Sequence, residues 1–153
     1  MTFAQAIKTC FNRYATFTGR ATRSEYWWWI LFCFLSIIAI CIIAAFIGVA
    51  TAGSRGVGLF GFFFLLPFII FCIVILVPSW AVLFRRLHDA GHPGYWILLY
   101  LVPYVISLFA ALVGSQIMSM LFGFLSFAGS IVLLVFVLQP SQPYDNQFGP
   151  CPD

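Results

Sequence analysis

Residues 59–83 read LFGFFFLLPFIIFCIVILVPSWAVL and contain no charged side chain. A helix needs about 20 mostly apolar residues to cross the roughly 30 Å hydrocarbon core of a lipid bilayer. The run exceeds that length, and tilting the helix in the bilayer accommodates the excess. The stretch therefore predicts a membrane-spanning helix.

The composition of the whole chain indicates the same class of protein. Of its 153 residues, 63% are hydrophobic and only 7% are charged, whereas a soluble domain has about 25% charged residues. Seven basic and four acidic side chains do not provide enough polar surface to keep a globule of this size in water. The composition excludes a soluble enzyme and a disordered chain, and it predicts one membrane domain over residues 1–153.

Three more spans follow from the other uncharged intervals. Residues 26–49 form the first span, because no charge occurs between Glu25 and Arg55. The interval from 90 to 144 is too long for one helix, and the polar residues 114–116 divide it. The last two predicted spans are residues 95–113 and 117–138, followed by a tail over residues 139–153.

The predicted fold class is all-α: a polytopic four-helix transmembrane bundle preceded by a short amphipathic helix at the membrane interface. Three prolines inside the spans, Pro67, Pro78 and Pro103, each remove one helix hydrogen bond. In a membrane helix such a proline is tolerated when neighbouring groups satisfy the freed carbonyl. We therefore expect kinked spans, and not a re-entrant hairpin in place of the second span.

The distribution of basic residues predicts the orientation. Four of them precede the first span, two lie between the second and third spans, and Arg55 alone lies between the first and second. Because cytoplasmic loops carry an excess of Lys and Arg, both termini and residues 85–94 are expected in the cytoplasm. The six residues on that side are Lys8, Arg13, Arg20, Arg23, Arg85 and Arg86.

The arm before the first span, residues 1–25, contains an amphipathic pattern. Thr2 and Gln5 have the spacing of a capping box at the start of a helix. Apolar residues then recur every three or four positions, as on one face of a helix. They are Phe3, Ala6, Ile7, Cys10, Phe11, Tyr14 and Phe17. The pattern predicts a helix in the headgroup layer with its cations toward anionic lipid, serving either as an anchor or in regulation.

A first polar motif ends the arm, where Arg20 and Arg23 lie three residues apart and Glu25 is the nearest acid. One interpretation is that the arginines stop translocation of the chain and that one of them pairs with Glu25. The other is that both arginines hold a phosphate, to which the fork geometry of the guanidinium group is suited.

A second polar motif, residues 85–96, contains both histidines of the chain. His88 and His92 are four residues apart, which would place them on one face of a helix together as in many zinc sites. Gly91 and Pro93 argue against a helix through that pair. We therefore predict neither a metal site nor a bound cofactor.

In the deduced topology, polar residues from the arm, the loop and the tail lie on one face and can converge into a polar cap. Arginine–carboxylate pairs would tie the three segments together, and they either only hold the fold or also form a ligand site. The excess of positive charge suits anionic lipid headgroups or an acidic partner. The predicted polar cap consists of Arg20, Arg23, Glu25, Arg85, Arg86, His88, Asp89 and Asp145.

The fourth span carries small residues at alternating steps of four and three, a pattern that lets membrane helices approach closely. This seam consists of Ser119, Gly123, Ser126 and the pair Gly129 and Ser130. It packs either against the first or third span of the same chain, or against a second copy in a homo-oligomer.

Three motifs resemble those of a known family. Residues 19–28 read GRATRSEYWW, residues 85–91 read RRLHDAG, and residues 146–150 read NQFGP. They resemble the small bacterial inner-membrane proteins called the domain of unknown function 805 family, and the likeness runs from about residue 11 to the end. The resemblance implies a four-span protein of the inner (plasma) membrane and supplies no activity.

Two classes of function remain open. The first is a non-enzymatic inner-membrane protein whose basic cytoplasmic cap binds a membrane or cytoplasmic protein partner, or anionic lipid. The second is a small oligomeric channel or transporter. An enzyme is not expected, because no nucleophile and base are recognisable as a catalytic pair. Nucleic acid binding is not expected either, because the topology already explains the inner cations.

Overall fold

The computed structural model describes the backbone of residues 1–50 and 56–151, and the side chains of these residues outside 48–50, 56–61 and 63. The described chain is helical, with an isolated β-bridge between Asn146 and Gly149. In chain order the elements are α1 (Phe3–Asn12), α2 (Arg23–Ala50), α3 (Gly56–Asp89), a 3₁₀ helix (Gly94–Ile97), α4 (Leu98–Leu112) and α5 (Gln116–Leu138).

Four helical segments are long and apolar enough to cross a membrane. They are Arg23–Ile47, Phe64–Asp89, Gly94–Leu112 and Gln116–Leu138. In the most apolar part of each segment only 6% to 22% of the residues are buried, so most side chains face outward, as those of lipid-facing helices do. The all-α fold class and the four predicted spans are confirmed, while the position of Arg55 lies outside the described residues.

The second span extends further than the sequence predicts. We expected it to end at residue 83 and a loop to begin at Arg85, but α3 continues to Asp89. Apolarity marks only the part of a helix that meets lipid, and α3 has an additional polar end. His88 and Asp89 therefore lie on a helix and not in a loop.

A Schellman motif ends α3. The His92 amide donates to the Leu87 carbonyl at 2.8 Å, and the Gly91 amide donates to the His88 carbonyl at 3.0 Å. Gly91 takes the left-handed position of the motif, with φ +84°, which a residue with a side chain adopts only with strain. Gly91 therefore sets where the helix stops.

By its internal contacts the chain divides into two compact units. Unit 1 comprises Met1–Phe17 and Ser24–Val82, and so contains α1, nearly all of α2 and most of α3. Unit 2 comprises Thr18–Arg23 and Leu83–Asp153, and so contains the end of α3, the 3₁₀ helix, α4, α5 and the tail. Each unit is built from two separate stretches of the chain.

In unit 1, α1 is the amphipathic helix that the sequence predicts. It begins with the expected capping box, in which the Thr2 hydroxyl accepts from the Gln5 amide (3.4 Å) and the Gln5 side chain accepts from the Thr2 amide (2.9 Å). Lys8 and Asn12 on the polar face are exposed, whereas Ala6 and Cys10 are buried.

The apolar face of α1 packs against the first turns of α2. The ring of Phe3 contacts that of Trp28 with centroids 5.7 Å apart, and the ring of Phe11 contacts that of Trp29 at 5.3 Å. Both pairs are edge-to-face, which is a favourable geometry for aromatic rings. Aromatic contacts thus fix the arm to α2.

A side chain of the arm provides a hydrogen-bond donor beside one of the prolines of α3. Pro78 lacks the N–H group that would bond to the carbonyl four residues earlier, which belongs to Val74. The hydroxyl of Tyr14, from the arm, donates to that carbonyl at 2.7 Å. The freed acceptor is therefore satisfied from within unit 1.

In unit 2, α4 and α5 pack closely around the proline of α4. Pro103 frees the carbonyl of Leu99, and Gly129 lies so close to this oxygen that a Cβ atom there would be 2.5 Å away. Ser126 donates to the next carbonyl, that of Tyr100, at 3.2 Å. Small residues of α5 therefore face the interrupted turn of α4.

Candidate functional site

Asp89, at the end of α3, accepts hydrogen bonds from three side chains of unit 2. Arg20 approaches one carboxylate oxygen with Nε at 3.0 Å and Nη2 at 2.9 Å. Nη1 of Arg86 and the hydroxyl of Ser141 donate to the other oxygen. We call these four residues the Asp89 cluster, which joins residues 18–23, the end of α3 and the tail.

The Asp89 cluster is withdrawn from solvent, because the side chains of Arg20, Arg86 and Asp89 are at most 1% exposed. The cost of removing ions from water is offset only when the remaining donors also find partners. Arg20 meets this condition by donating to the carbonyls of Tyr144 (2.8 Å) and Gln142 (2.6 Å). Its donors are used within the fold, so the geometry does not support the phosphate-binding pair considered for Arg20.

Two arginines cap the end of α5. The last carbonyls of a helix have no intrahelical partner and carry partial negative charge. Arg86 donates to the Val137 carbonyl through Nε (3.1 Å) and Nη2 (2.9 Å), and also to the Gln139 carbonyl. Arg23 donates to the Leu138 carbonyl. Two cations therefore stabilise three successive carbonyls at this helix end.

The tail is held against the end of α3 by both main-chain and side-chain contacts. The Gln142 amide donates to the Asp89 carbonyl at 3.1 Å, and the Asn146 side-chain amide donates to the His88 carbonyl at 2.9 Å. The ring of Phe148 stacks on the imidazole of His88 with centroids 4.2 Å apart. The tail is thus an ordered hook whose closing motif covers His88.

The two histidines contact different groups. His88 Nδ1 lies 3.2 Å from the Gly19 carbonyl oxygen, and His92 Nε2 lies 2.8 Å from Oε1 of Gln139. Over residues 1–50 and 56–151, no three His, Cys, Asp or Glu side chains are grouped as ligands of one metal ion. Each imidazole instead ties one neighbouring segment of unit 2 to residues 88–92.

Besides Arg23 and His88, described above, three more residues of the predicted polar cap lie outside the Asp89 cluster. Arg85 is buried, and its carbonyl accepts from the Ala21 amide at 3.0 Å. Glu25 belongs to unit 1, where it is buried with the sulfur of Cys10 3.9 Å from Oε1. Asp145 is exposed and accepts from a backbone amide of the tail. We expected Asp145 as a partner of the inner arginines, but it forms no ion pair within the described part of the chain.

Sequence reasoning missed Ser141 and Gln142, which bond to Asp89 through side chain and main chain respectively. Both lie between Pro140 and Pro143, in a segment whose composition indicates only a turn-rich tail. Polar residues directly after an apolar span were the one available signal. No spacing distinguishes them from the other polar residues of the tail.

The small-residue seam of α5 faces α4, so it packs against a span of the same chain. Ser119 accepts at its carbonyl from the Ser107 hydroxyl (2.9 Å), and a Cβ atom on Gly123 would lie 3.5 Å from that hydroxyl. Together with Ser126 these residues line the contact with α4. Ser130 instead donates to a carbonyl of its own helix at 2.7 Å, and Gly129 takes its place in the seam.

The basic residues of the arm and of the polar end of α3 divide into two groups by exposure. Arg20, Arg85 and Arg86 are buried, with 5%, 0% and 0% of their surface exposed. Lys8, Arg13 and Arg23 are exposed, and none of these three forms an ion pair with a carboxylate among the described residues. The exposed group is therefore the one whose charge is available to a ligand.

Comparison with known proteins agrees with this architecture. The sequence model of the family described as "Protein of unknown function (DUF805)" matches residues 14–150. The chain is similar to Inner membrane protein YhaH of Escherichia coli (strain K12), with 30% identity over 141 residues, which are 92% of this chain and 90% of the relative. It is also similar to Inner membrane protein YhaI of the same strain, with 26% identity over 140 residues, 90% of this chain and 86% of the relative. No solved structure matches. From the match to residues 14–150, and as the motifs around Arg20, Asp89 and Phe148 predict, the chain belongs to the DUF805 family of inner-membrane proteins.

Proposed function

We propose that this protein is a non-enzymatic component of the inner membrane that binds anionic phospholipid headgroups on its cytoplasmic face. In this proposal the exposed cations of the arm contact the lipid, and the Asp89 cluster holds the polar end of unit 2 in shape. A protein partner at the same face is the other outcome that the test below allows.

The proposal rests on a difference in solvent exposure between two groups of basic residues. Arg20 and Arg86 use their donors on Asp89 and on main-chain carbonyls, so their role is structural. Lys8, Arg13 and Arg23 have no carboxylate partner among the described residues. Each cation near an anionic membrane surface contributes about 1 kcal/mol to binding.

The orientation is part of the proposal and rests on the charge distribution. Six basic residues are expected on the side of the termini and one, Arg55, on the other. The positive-inside bias then places the exposed cations at the cytoplasmic leaflet, which carries the anionic lipids. The aromatic side chains of Trp27 and Trp28 beside Arg23 suit the same headgroup level.

Native mass spectrometry of the protein extracted gently from its own membrane tests this function. We expect retained anionic phospholipid on the wild type and a severalfold lower load on a Lys8→Gln/Arg13→Gln/Arg23→Gln variant. Asp145→Asn is the matched control, because it removes an exposed charge of the opposite sign. An unchanged lipid load on the triple variant would contradict the proposal, and a co-purifying protein lost in that variant would replace lipid by a protein partner.

The small oligomeric channel or transporter receives less support. The small-residue seam, for which contact with a second copy was one of two alternatives, packs against α4. Flux of an ion or solute through proteoliposomes containing the protein would reopen this alternative.

A further inference from the structure

The hydroxyl of Tyr14 contacts the main chain of α3 where a proline interrupts its hydrogen bonding. In an α-helix the amide of residue 78 would donate to the carbonyl of Val74, but Pro78 has no N–H group. The Tyr14 hydroxyl donates to this carbonyl at 2.7 Å. The Tyr14 hydroxyl therefore replaces the backbone donor that Pro78 lacks.

The position of the Tyr14–Val74 hydrogen bond along α3 explains why a substitute donor matters there. Val74 lies eight residues before Val82 in α3, which is about 12 Å of helix rise. Its neighbours Ile73 and Leu76 are apolar and exposed, as expected for side chains in contact with lipid. Water is scarce at that level, so a carbonyl without a protein donor would remain unsatisfied there.

The rest of the arm is positioned to keep Tyr14 in place. Ala6 and Cys10 are fully buried, and the ring of Phe11 contacts both Trp29 and Phe32, at 5.3 Å and 6.1 Å between centroids. These contacts involve one face of α1, whose residues precede Tyr14 by three to eight positions along the arm. Releasing the hydroxyl by moving the arm would therefore also break this packing.

We propose that the arm is a strap whose docked position and the local geometry of α3 at Pro78 form one coupled conformational element. With the arm docked, the Val74 carbonyl is satisfied and the proline interruption is stable in the bilayer. With the arm released, that carbonyl loses its donor, and α3 must change shape around Pro78 to recover one. Thermodynamic linkage then requires that whatever captures the arm in one position also shifts the geometry of α3.

This inference is independent of the lipid-binding function. It concerns Tyr14, Val74 and Pro78, and none of these is among the cations proposed to contact lipid. The strap can exist in a protein that binds no anionic lipid, and lipid can bind to an arm that is not coupled to α3.

A double-mutant cycle measured by hydrogen–deuterium exchange in lipid nanodiscs tests the coupling. Tyr14→Phe removes the hydroxyl alone, and we expect it to raise the opening equilibrium of amides in residues 3–17 by about fivefold to tenfold, the effect of one lost hydrogen bond. Pro78→Ala restores the helix amide that bonds to Val74. In the Pro78→Ala background we therefore expect Tyr14→Phe to have little effect.

Tyr104→Phe is the matched control, because Tyr104 lies on α4 and its hydroxyl has no hydrogen bond within the described chain. Equal exchange in Tyr14→Phe and Tyr104→Phe would overturn the proposal. So would additive effects of Tyr14→Phe and Pro78→Ala, because they would show that the two residues act separately. If Pro78→Ala does not fold, the comparison of the two tyrosine variants still decides whether the hydroxyl holds the arm.

Discussion

Asp89 is the residue on which the polar end of unit 2 depends. It is the carboxylate that Arg20 and Arg86 share, and its own main-chain carbonyl accepts from the tail. Removing one partner of a buried ion pair lowers the stability of a protein strongly, because the other charge stays buried without a partner. Asp89 leaves two such charges behind when it is changed.

For Asp89→Asn we therefore expect a loss of about 3–5 kcal/mol in the free energy of unfolding. The amide keeps the size of the side chain but faces two guanidinium groups without a negative charge. Thermal unfolding in detergent micelles measures the loss. Asp145→Asn is the control, since an exposed acid without an ion pair should change stability by no more than about 0.5 kcal/mol. Similar unfolding temperatures for the two variants would refute the structural role of Asp89.

At the scale of elements, the pairing of α4 and α5 depends on small residues at specific turns. Gly129 lies against the main chain of α4, so the two helices cannot approach as closely if a side chain is added there. Gly123, six residues earlier on α5, would place a Cβ atom at an ordinary van der Waals distance of 3.5 Å from the Ser107 hydroxyl. An added side chain would therefore meet a steric clash at Gly129 but not at Gly123, although both glycines belong to the seam.

We expect Gly129→Ala to destabilise the protein by about 1–3 kcal/mol, the range for overpacking a well-packed contact. The added Cβ atom would lie 2.5 Å from the Leu99 carbonyl oxygen, which is main chain and cannot rotate away. Gly123→Ala should be nearly neutral, because its Cβ atom would lie 3.5 Å from the Ser107 hydroxyl. Thermal unfolding of the two variants side by side checks this, and equal losses would contradict it.

The elements also show what the sequence can and cannot predict. Absence of charge predicts the spans, because the bilayer requires it of every residue in contact with lipid. The end of α3 at Asp89 escaped prediction, because a helix that leaves the membrane is no longer constrained to be apolar. The acceptors of Arg86 escaped it too, because the carbonyls of Val137 and Gln139 carry no signature in their side chains.

At the scale of the molecule, the charged side chains of the described residues lie outside the middle parts of the spans, which are apolar. Charge placement alone predicts that Arg20, Arg86 and Asp89 lie near one membrane surface. It does not predict that Ser141 completes the cluster or that Asp145 stays outside it. Which side of the membrane this end occupies remains a proposal, and it can be tested without any assay of function.

The exposed thiol of Cys151 reports the orientation. With the tail in the cytoplasm, we expect a membrane-impermeant maleimide to label Cys151 in inside-out vesicles and not in intact spheroplasts. An Arg55→Cys variant, with its new thiol on the side opposite to the termini, should give the reverse pattern. Labelling of Cys151 in intact spheroplasts would invert the proposed topology. Cys10 is buried, and Cys33, Cys41 and Cys72 lie within spans, so they should contribute little signal.

The Asp89 cluster also limits when, during synthesis of the chain, its hydrogen bonds can form. During translation Arg20 and Arg86 emerge well before the carbonyls of residues 137–144 to which they will donate. Until α5 and the tail have been synthesised, both guanidinium groups lack those carbonyl acceptors, and Asp89 is the partner already available to them. Complete closure of the cluster therefore requires that α5 and the tail through Tyr144 have already been synthesised.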